Sequence, residues 1–183
     1  MTLETNRLIL KTSDTEMTDQ VFKYYYDNRD FFAKYEPSRD EEYYTFDYQY
    51  ALLRQEAGNM ERLTGAYYYY YLKVDPEHII GSISFSRIRK DPYFSTIFGY
   101  NIDYRFQGQG YCTEACRGAM EHVMEIAPIH RIDARVLTDN AKSIRVLDRL
   151  GFEKEGFEKA SILIGGEFRD HLRYAYLNEG FEV

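Results

Sequence analysis

Two glycines near the middle of the chain, Gly108 and Gly110, lie between a strand-like segment and a helix-like segment. The preceding residues 96–102 (TIFGYNI) are mainly β-branched or aromatic, which favours a strand. In 116–127, apolar residues recur every three or four positions, which indicates one face of a helix with Thr113 as its expected N-cap. A strand–turn–helix junction directs several backbone N–H groups at one point, where the helix dipole favours an anion. The stretch is therefore predicted to bind a phosphate or pyrophosphate.

The spacing of these glycines does not match two familiar phosphate loops. A Walker A loop requires a Gly-Lys-Ser/Thr sequence, and a dinucleotide-binding fingerprint requires a third glycine where Thr113 stands. What fits is Arg-x-x-Gly-x-Gly, from Arg105 to Gly110. Because a short glycine pattern also occurs in ordinary strand–helix turns, the rest of the chain must decide its meaning.

Length and composition restrict the class of protein. The 183 residues, 44% of them hydrophobic, suit a single domain over 1–183. A net charge of −7 argues against nucleic-acid binding and suits a cationic partner. The only cysteines, Cys112 and Cys116, are predicted to be a thiol pair, and no metal is expected. Without a signal peptide or an apolar run of membrane-spanning length, we expect a cytoplasmic protein with no membrane contact.

The periodicity along the chain predicts alternating strands and helices. Five consecutive tyrosines, 67–71, favour a strand, with strand packing as the role of most and a substrate cleft as the alternative for one face. Gly165-Gly166 predicts a two-residue hairpin near the end. The predicted elements are a strand at 7–11, helices at 15–28 and 41–57, strands at 65–74, 79–88 and 96–102, a helix at 113–127, a strand at 132–136, a helix at 140–150, and strands at 155–164 and 167–177.

A second motif gives the glycine turn its context. Residues 140–156 contain N-x-x-S-x-x-V-L-x-x-L-G-F-x-x-E-G, which resembles motif B of the RimJ/RimL-type ribosomal-protein-alanine N-acetyltransferases. The Arg105–Gly110 pattern is similar to the coenzyme A pyrophosphate loop of the same GNAT superfamily. Shorter matches to that branch are Thr5-Asn6-Arg7-Leu8, Tyr35-Glu36-Pro37, Gly81, His130-Arg131-Ile132 and residues 166–171. The resemblance covers nearly the whole chain and implies an α/β (α+β) GNAT acyl-CoA N-acyltransferase fold, a mixed, twisted seven-stranded sheet with helices on both faces.

The resemblance also implies a cofactor site for acetyl-CoA. In the family, the strand at 96–102 splays from its neighbour, and a backbone N–H near Tyr100 or Asn101 polarises the thioester carbonyl. Backbone N–H groups of the glycine turn hold the pyrophosphate, and Asn140 lies beside the pantetheine or caps its helix. The implied cofactor contacts are Ile102, Tyr104, Arg105, Gln107, Gly108, Gln109, Gly110, Tyr111, Cys112 and Asn140.

The implied acid and base depart from the wider superfamily. Many relatives carry an acidic tyrosine where this chain has Leu147, and Ser143 matches the serine proposed as the acid in the RimJ/RimL branch; the alternative is a helix-start serine. No glutamate stands at Ile97 or Ile162, where relatives carry one. Glu36 is the remaining candidate base, and a solvated loop carboxylate is its alternative.

The absence of a clear base favours an acceptor that is already partly neutral. A lysine amine has a pKa near 10.4, whereas an N-terminal α-amine has a pKa of about 7.7–8.0. We therefore expect acetyl transfer to the N-terminal α-amine of a (ribosomal) protein, by a monomer or weak homodimer. The alternatives are a small-amine acetyltransferase, acting on a polyamine or antibiotic, and a non-catalytic acyl-CoA-binding module.

Overall fold

The computed structural model describes residues 1–182, and within them eight strands form one mixed sheet. The strands are β1 (Thr2–Glu4), β2 (Leu8–Thr12), β3 (Gly65–Leu72), β4 (Asp75–Arg89), β5 (Ser95–Ile102), β6 (Arg131–Leu137), β7 (Glu153–Ile164) and β8 (Glu167–Leu177). Their spatial order is β1-β2-β3-β4-β5-β6-β8-β7. The mixed α/β architecture predicted for the chain is confirmed, with one strand more than the seven expected.

Four α-helices cover the two faces of this sheet in the described part of the chain. They are α1 (Thr18–Phe32), α2 (Phe46–Glu61), α3 (Tyr111–Ile126) and α4 (Ala141–Leu150). Helices α1 and α2 bury Val21, Tyr24 and Leu53 in one core with β3. Helices α3 and α4 contribute to a larger core on the other face. None of the helices in residues 1–182 is both long enough and apolar enough to span a bilayer.

The tyrosine run of β3 supplies aromatic side chains to both cores. Tyr69 and Tyr71 pack with the α1–α2 core, whereas Tyr68 and Tyr70 pack with the larger one. Successive strand residues point to opposite faces, so an unbroken aromatic run fits a strand buried on both sides. Strand packing is therefore confirmed for these four.

The sheet opens between β5 and β6. These strands pair in parallel from Ser95↔Arg131 to Phe98↔Ala134, and the ladder then stops although both strands continue. The splayed strand implied by the resemblance is thus present: residues 99–102 pair with β4 but are unpaired on the side that faces β6.

Several predicted boundaries were wrong. Strand β1 was missed because its three residues are too few to show a periodic pattern. Only its backbone pairing with β2 defines it as a strand, and the sequence does not show that pairing. Helix α2 passes through Gly58 to end at Glu61, since one glycine costs only about 1 kcal/mol in a helix and Met60 packs on the core. Pro76 lies near the start of β4 instead of in a turn, a position that strands tolerate.

The expected hairpin at Gly165-Gly166 is confirmed, with both φ angles positive.

Candidate functional site

A cavity of about 640 Å³ occupies the opening between β5 and β6. Residues 99–102 of β5 and 134–137 of β6 line it, together with the glycine turn, the start of α4 and parts of α1 and α2. The break in the sheet leaves backbone along both strands facing this space. The two sequence motifs therefore lie at one site.

The glycine turn forms one end of the cavity. Gly108 and Gly110 have φ angles of +78° and +83°, which side-chain-bearing residues rarely adopt. Gly110 is the N-cap of α3, so the helix begins at Tyr111, and the predicted N-cap Thr113 lies inside its first turn. The correction follows from the backbone: the left-handed Gly110 ends the turn three residues earlier than the side-chain pattern suggested.

Backbone N–H groups of the turn are free to bind an anion. Within residues 1–182, those of residues 107–113 donate no hydrogen bond to another part of the chain. The turn is held by other groups: Arg7 Nη1 donates to the Gln109 carbonyl at 3.0 Å, and Glu114 accepts from Arg7 Nε at 2.7 Å. Free N–H groups at a helix N-terminus fit a diphosphate.

The structure brings most, but not all, of the predicted cofactor residues to the cavity. Tyr104, Arg105 and Gln109 do not line it. The lining includes Ile102, Gln107, Gly108, Gly110, Tyr111, Cys112 and Asn140.

Arg105 is committed to a neighbour in its own turn. Its Nη2 lies 2.6 Å from Oδ2 of the buried Asp103. Burial alone would raise the pKa of the Asp103 carboxyl, but hydrogen bonds from Arg105 and Asn28 outweigh it and hold the pKa below its usual value. An arginine engaged this way stabilises the turn, a role that the sequence pattern does not distinguish from phosphate binding.

Ser143 and the start of α4 form another wall of the cavity. Asn140 Oδ1 accepts from the Ser143 backbone N–H at 3.2 Å, so Asn140 caps the helix as predicted. The Ser143 Oγ lies 2.7 Å from the Tyr100 hydroxyl, which also donates to the Ser143 carbonyl at 3.0 Å. Burial raises the pKa of Tyr100 well above its usual value, so its hydroxyl stays protonated. The sequence assigned only a backbone role to Tyr100; the alternation of β5, which turns it toward α4, is the signal for this second role.

Glu36 enters the cavity from the opposite face of β5. Asn101 Nδ2 donates to Glu36 Oε1 at 3.0 Å, while Asn101 Oδ1 accepts from Tyr24 at 2.7 Å and from Ser82 at 2.8 Å. Burial raises the pKa of the Glu36 carboxyl, opposed by the Asn101 hydrogen bond and by Arg39. Glu36 is thus a half-buried cavity carboxylate, and a raised pKa moves a carboxylate towards the range of a useful general base.

Two consecutive residues of β5 contact the Ser143 hydroxyl and the Glu36 carboxylate. Tyr100 points to Ser143 and Asn101 points to Glu36, because neighbouring strand residues face opposite sides. A hydroxyl pair and a carboxylate therefore flank the same unpaired backbone. The arrangement supplies a proton donor on one side and a proton acceptor on the other.

Helix α2 supplies a further wall that the sequence analysis did not identify. Tyr48, Leu52 and Glu56 line the cavity at the i, i+4, i+8 spacing of one helix face. Tyr25 of α1 lies near this wall and hydrogen-bonds Ser82 at 3.2 Å. The helical spacing was visible in the sequence, but not which side of α2 faces the site.

Comparisons with known proteins agree with this geometry. A family model described as an acetyltransferase (GNAT) domain matches residues 7–153. The chain is 33% identical over 171 residues to the [Ribosomal protein uS5]-alanine N-acetyltransferase of Escherichia coli (strain K12), covering 93% of this chain and 87% of that protein.

Solved structures of acetyltransferases share the fold of this chain. The ribosomal-protein-S5-alanine acetyltransferase of Vibrio fischeri superposes with a TM-score of 0.95 at 26% identity over the full length of both chains. Mycobacterium smegmatis RimJ, in complex with CoA-disulfide, has a TM-score of 0.86 at 20% identity over 94% of this chain and 82% of that chain, which shows a shared fold.

Proposed function

The chain belongs to the GNAT acetyltransferase family, and we propose that it transfers the acetyl group of acetyl-CoA to the N-terminal α-amine of a protein. The name of the E. coli relative, an alanine N-acetyltransferase of ribosomal protein uS5, makes a ribosomal protein the proposed acceptor. The observation that carries this proposal is the cavity at the β5–β6 opening, which joins the anion-binding turn to the half-buried Glu36 carboxylate and the Tyr100–Ser143 hydroxyl pair.

The proposed cofactor site uses the turn and the opened strand. The free N–H groups of residues 107–113 bind the pyrophosphate of acetyl-CoA. The unpaired stretch 99–102 offers backbone groups to the pantetheine arm and a donor to the thioester oxygen. The α4 start, including Asn140, borders the same space.

The proposed chemistry is direct attack within a ternary complex. The neutral amine forms the N–C bond while the C–S bond breaks, and the amine proton passes to Glu36 or to water beside it. The Ser143–Tyr100 pair donates a proton to the departing sulfur and regains one from solvent, to which Glu36 releases the amine proton. An α-amine suits this site because about a tenth of it is neutral at pH 7, so a single carboxylate of raised pKa is enough.

Location and assembly extend the same proposal. We place the enzyme in the cytoplasm, where acetyl-CoA and ribosomal proteins occur together, and its two cysteines are unpaired, as a reducing compartment allows. A monomer or weak homodimer remains our expectation.

Acetyl-CoA turnover on defined acceptors tests the proposal. We expect peptides beginning with Ala or Ser to be acetylated at the α-amine, identified by mass spectrometry, with higher kcat/KM than a panel of polyamines and aminoglycosides. Preference for a small amine would reassign the acceptor. Acetyl-CoA binding with no acetylation of any acceptor would instead indicate a binding module.

A further inference from the structure

Glu56 is a cavity carboxylate that acetyl transfer itself does not use. It ends the α2 stripe that begins with Tyr48, and the tyrosines of β3 that face this helix, Tyr67 and Tyr69, line the same part of the cavity. Ser13 Oγ donates to Glu56 Oε2 at 2.6 Å, which fixes the carboxylate against the end of β2. The group is therefore held in place at the wall of the cavity.

The two carboxylates of the cavity differ in how their charge is balanced. Arg39 approaches Glu36 to 4.0 Å, and Asn101 donates a hydrogen bond to it. Within residues 1–182, Glu56 has no ion-pair partner, and only the hydroxyls of Ser13 and Tyr69 support its charge. Glu56 is half-buried, and a carboxylate partly withdrawn from water without a counter-ion is costly to ionise, so a cation from outside the chain would stabilise its charged form.

The surroundings of Glu56 also favour a cation. Tyr25, Tyr67 and Tyr69 line the cavity around it, and aromatic rings attract ammonium and guanidinium groups through their faces. Rings of this protein already hold cations, as Arg39 lies 4.7 Å from the centre of the Tyr43 ring. A carboxylate within a tyrosine-lined pocket can attract a cation both by its opposite charge and by cation–π contact with the rings.

We propose that Glu56 and the tyrosines around it form a specificity pocket for a lysine or arginine side chain at the second or third residue of the acceptor. The pocket lies on the α1–α2 side of the sheet, the side on which Glu36 faces β5. Beyond the effect of burial, Glu36 and Glu56 both raise the pKa of Tyr25, so one side chain lies close to both carboxylates. An acceptor whose α-amine reaches Glu36 thus brings its first side chains near Glu56. The assignment rests on the proposed function, since the pocket selects among acceptors of that reaction.

Peptides that differ by one charge test the pocket. The probes are a peptide beginning with Ala, with lysine at position 2 or 3, and its partner with norleucine there, which keeps the alkyl chain and removes the ammonium. For the wild-type protein we expect kcat/KM to favour lysine by about ten- to a hundredfold, the range for a hydrogen bond to a charged group, mainly through KM. Glu56→Gln should reduce that ratio by about tenfold or more, leaving only the preference that the tyrosine rings supply. Glu61→Gln, an exposed glutamate on the same helix outside the cavity, should leave the ratio as in wild type.

The possible outcomes distinguish a failure of the proposed pocket from a failure of the proposed reaction. A wild-type protein that acetylates both peptides with equal kcat/KM overturns the pocket and keeps the proposed function, whether or not the Glu56 variant folds. A ratio that survives Glu56→Gln overturns it as well. If wild type acetylates neither peptide nor any other N-terminal amine, both the pocket and the proposed function are rejected.

Discussion

We propose that the hydroxyl pair of Tyr100 and Ser143, 2.7 Å apart, takes the place of the acidic tyrosine that many relatives carry on the last helix. The position of that tyrosine is Leu147, which is 1% exposed and belongs to the core. Tyr100 reaches Ser143 from β5, so a phenol is present at the site although it comes from another element. A thiolate with a pKa near 8.5 leaves easily, so either hydroxyl is a sufficient donor.

Replacing Ser143 tests which hydroxyl delivers the proton. Ser143→Ala should lower kcat by about a hundredfold, the low end for a positioned proton transfer, while acetyl-CoA affinity stays nearly unchanged. Tyr100→Phe should lower kcat less, because Ser143 keeps its place on α4. The measurements are steady-state kinetics on the accepted peptide and calorimetric binding of acetyl-CoA. Full kcat in Ser143→Ala would make Ser143 a helix-start serine only.

The charge of Glu56 makes folding stability depend on pH. Burial raises the pKa of this carboxyl from its ordinary value of 4.5 to about 7, with Ser13 and Tyr69 acting against the shift. The folded protein therefore holds the proton more tightly than the unfolded chain. The contribution of Glu56 to stability is complete below pH 4.5 and is lost as pH rises through about 7.

Glu56→Gln should remove the loss of folding stability that wild type undergoes as pH rises from 4.5 to about 7. The loss reaches about 3 kcal/mol at most by pH 8, since one pKa unit corresponds to about 1.4 kcal/mol. The variant should exceed wild type in free energy of unfolding at pH 8 and match it near pH 5, by urea denaturation. The exposed Glu61→Gln should follow wild type at both values. Equal stabilities of wild type and Glu56→Gln at pH 8 would contradict the raised pKa.

At the scale of elements, the binding turn depends on backbone geometry more than on side chains. Gly108 has no neighbour within 4 Å of the place where a Cβ would stand, so its positive φ is what favours glycine there. Gly110 has the same kind of φ, and a Cβ would lie 3.4 Å from Arg7 Nη2, which braces the turn. A branched side chain at Gly110 therefore disturbs both the turn and its support.

Gly110→Val should abolish coenzyme A binding in a protein that still folds. The substitution changes the direction of the backbone N–H groups before α3. The side chains that α3 contributes to the core, Ala115, Cys116 and Ala119, are unchanged. Calorimetry with coenzyme A gives the affinity, and circular dichroism confirms the fold. Gly156→Val is a matched control, because no atom lies within 4 Å of its Cβ position and its φ is not positive. Wild-type affinity in a folded Gly110→Val would reject the turn as the pyrophosphate site.

The sequence predicted these elements well wherever periodicity or a turn residue marked them. The amphipathic face of α3, the Asn140 cap and the Gly165-Gly166 hairpin were all visible as local patterns. Side-chain contacts that depend on the folded structure were not: Asp103, the partner of Arg105, is also held by Asn28 of α1, and Glu56 faces the site only because α2 packs on β3. Such contacts follow from tertiary packing, which no short pattern in the chain encodes.

At the scale of the whole molecule, acidic residues outnumber basic ones, 30 to 23, and several are clustered in and after the loop that carries Glu36. The loop that carries Glu36 continues into a short 3-10 helix, Glu41–Tyr44, whose Glu41 and Glu42 are exposed. Asp40 caps this helix through the Tyr43 backbone N–H at 3.3 Å. Because Glu36, Arg39 and Tyr43 of this segment line the cavity, we propose that the neighbouring Glu41 and Glu42 form an acidic mouth for an acceptor that approaches Glu36.

This charge should make turnover of cationic acceptors depend on salt. At saturating acetyl-CoA, kcat/KM for a lysine-containing peptide should fall as salt rises from 0.05 to 0.5 M, on the order of several-fold, because added salt screens the attraction between exposed charges. The fall should be smaller in a Glu41→Gln/Glu42→Gln variant. The matched pair Glu153→Gln/Glu167→Gln, exposed at the β7–β8 hairpin, removes the same charge elsewhere and should retain the wild-type slope. A neutral or acidic peptide acetylated as fast as the cationic one, with no effect of salt, would show that the mouth does not select by charge.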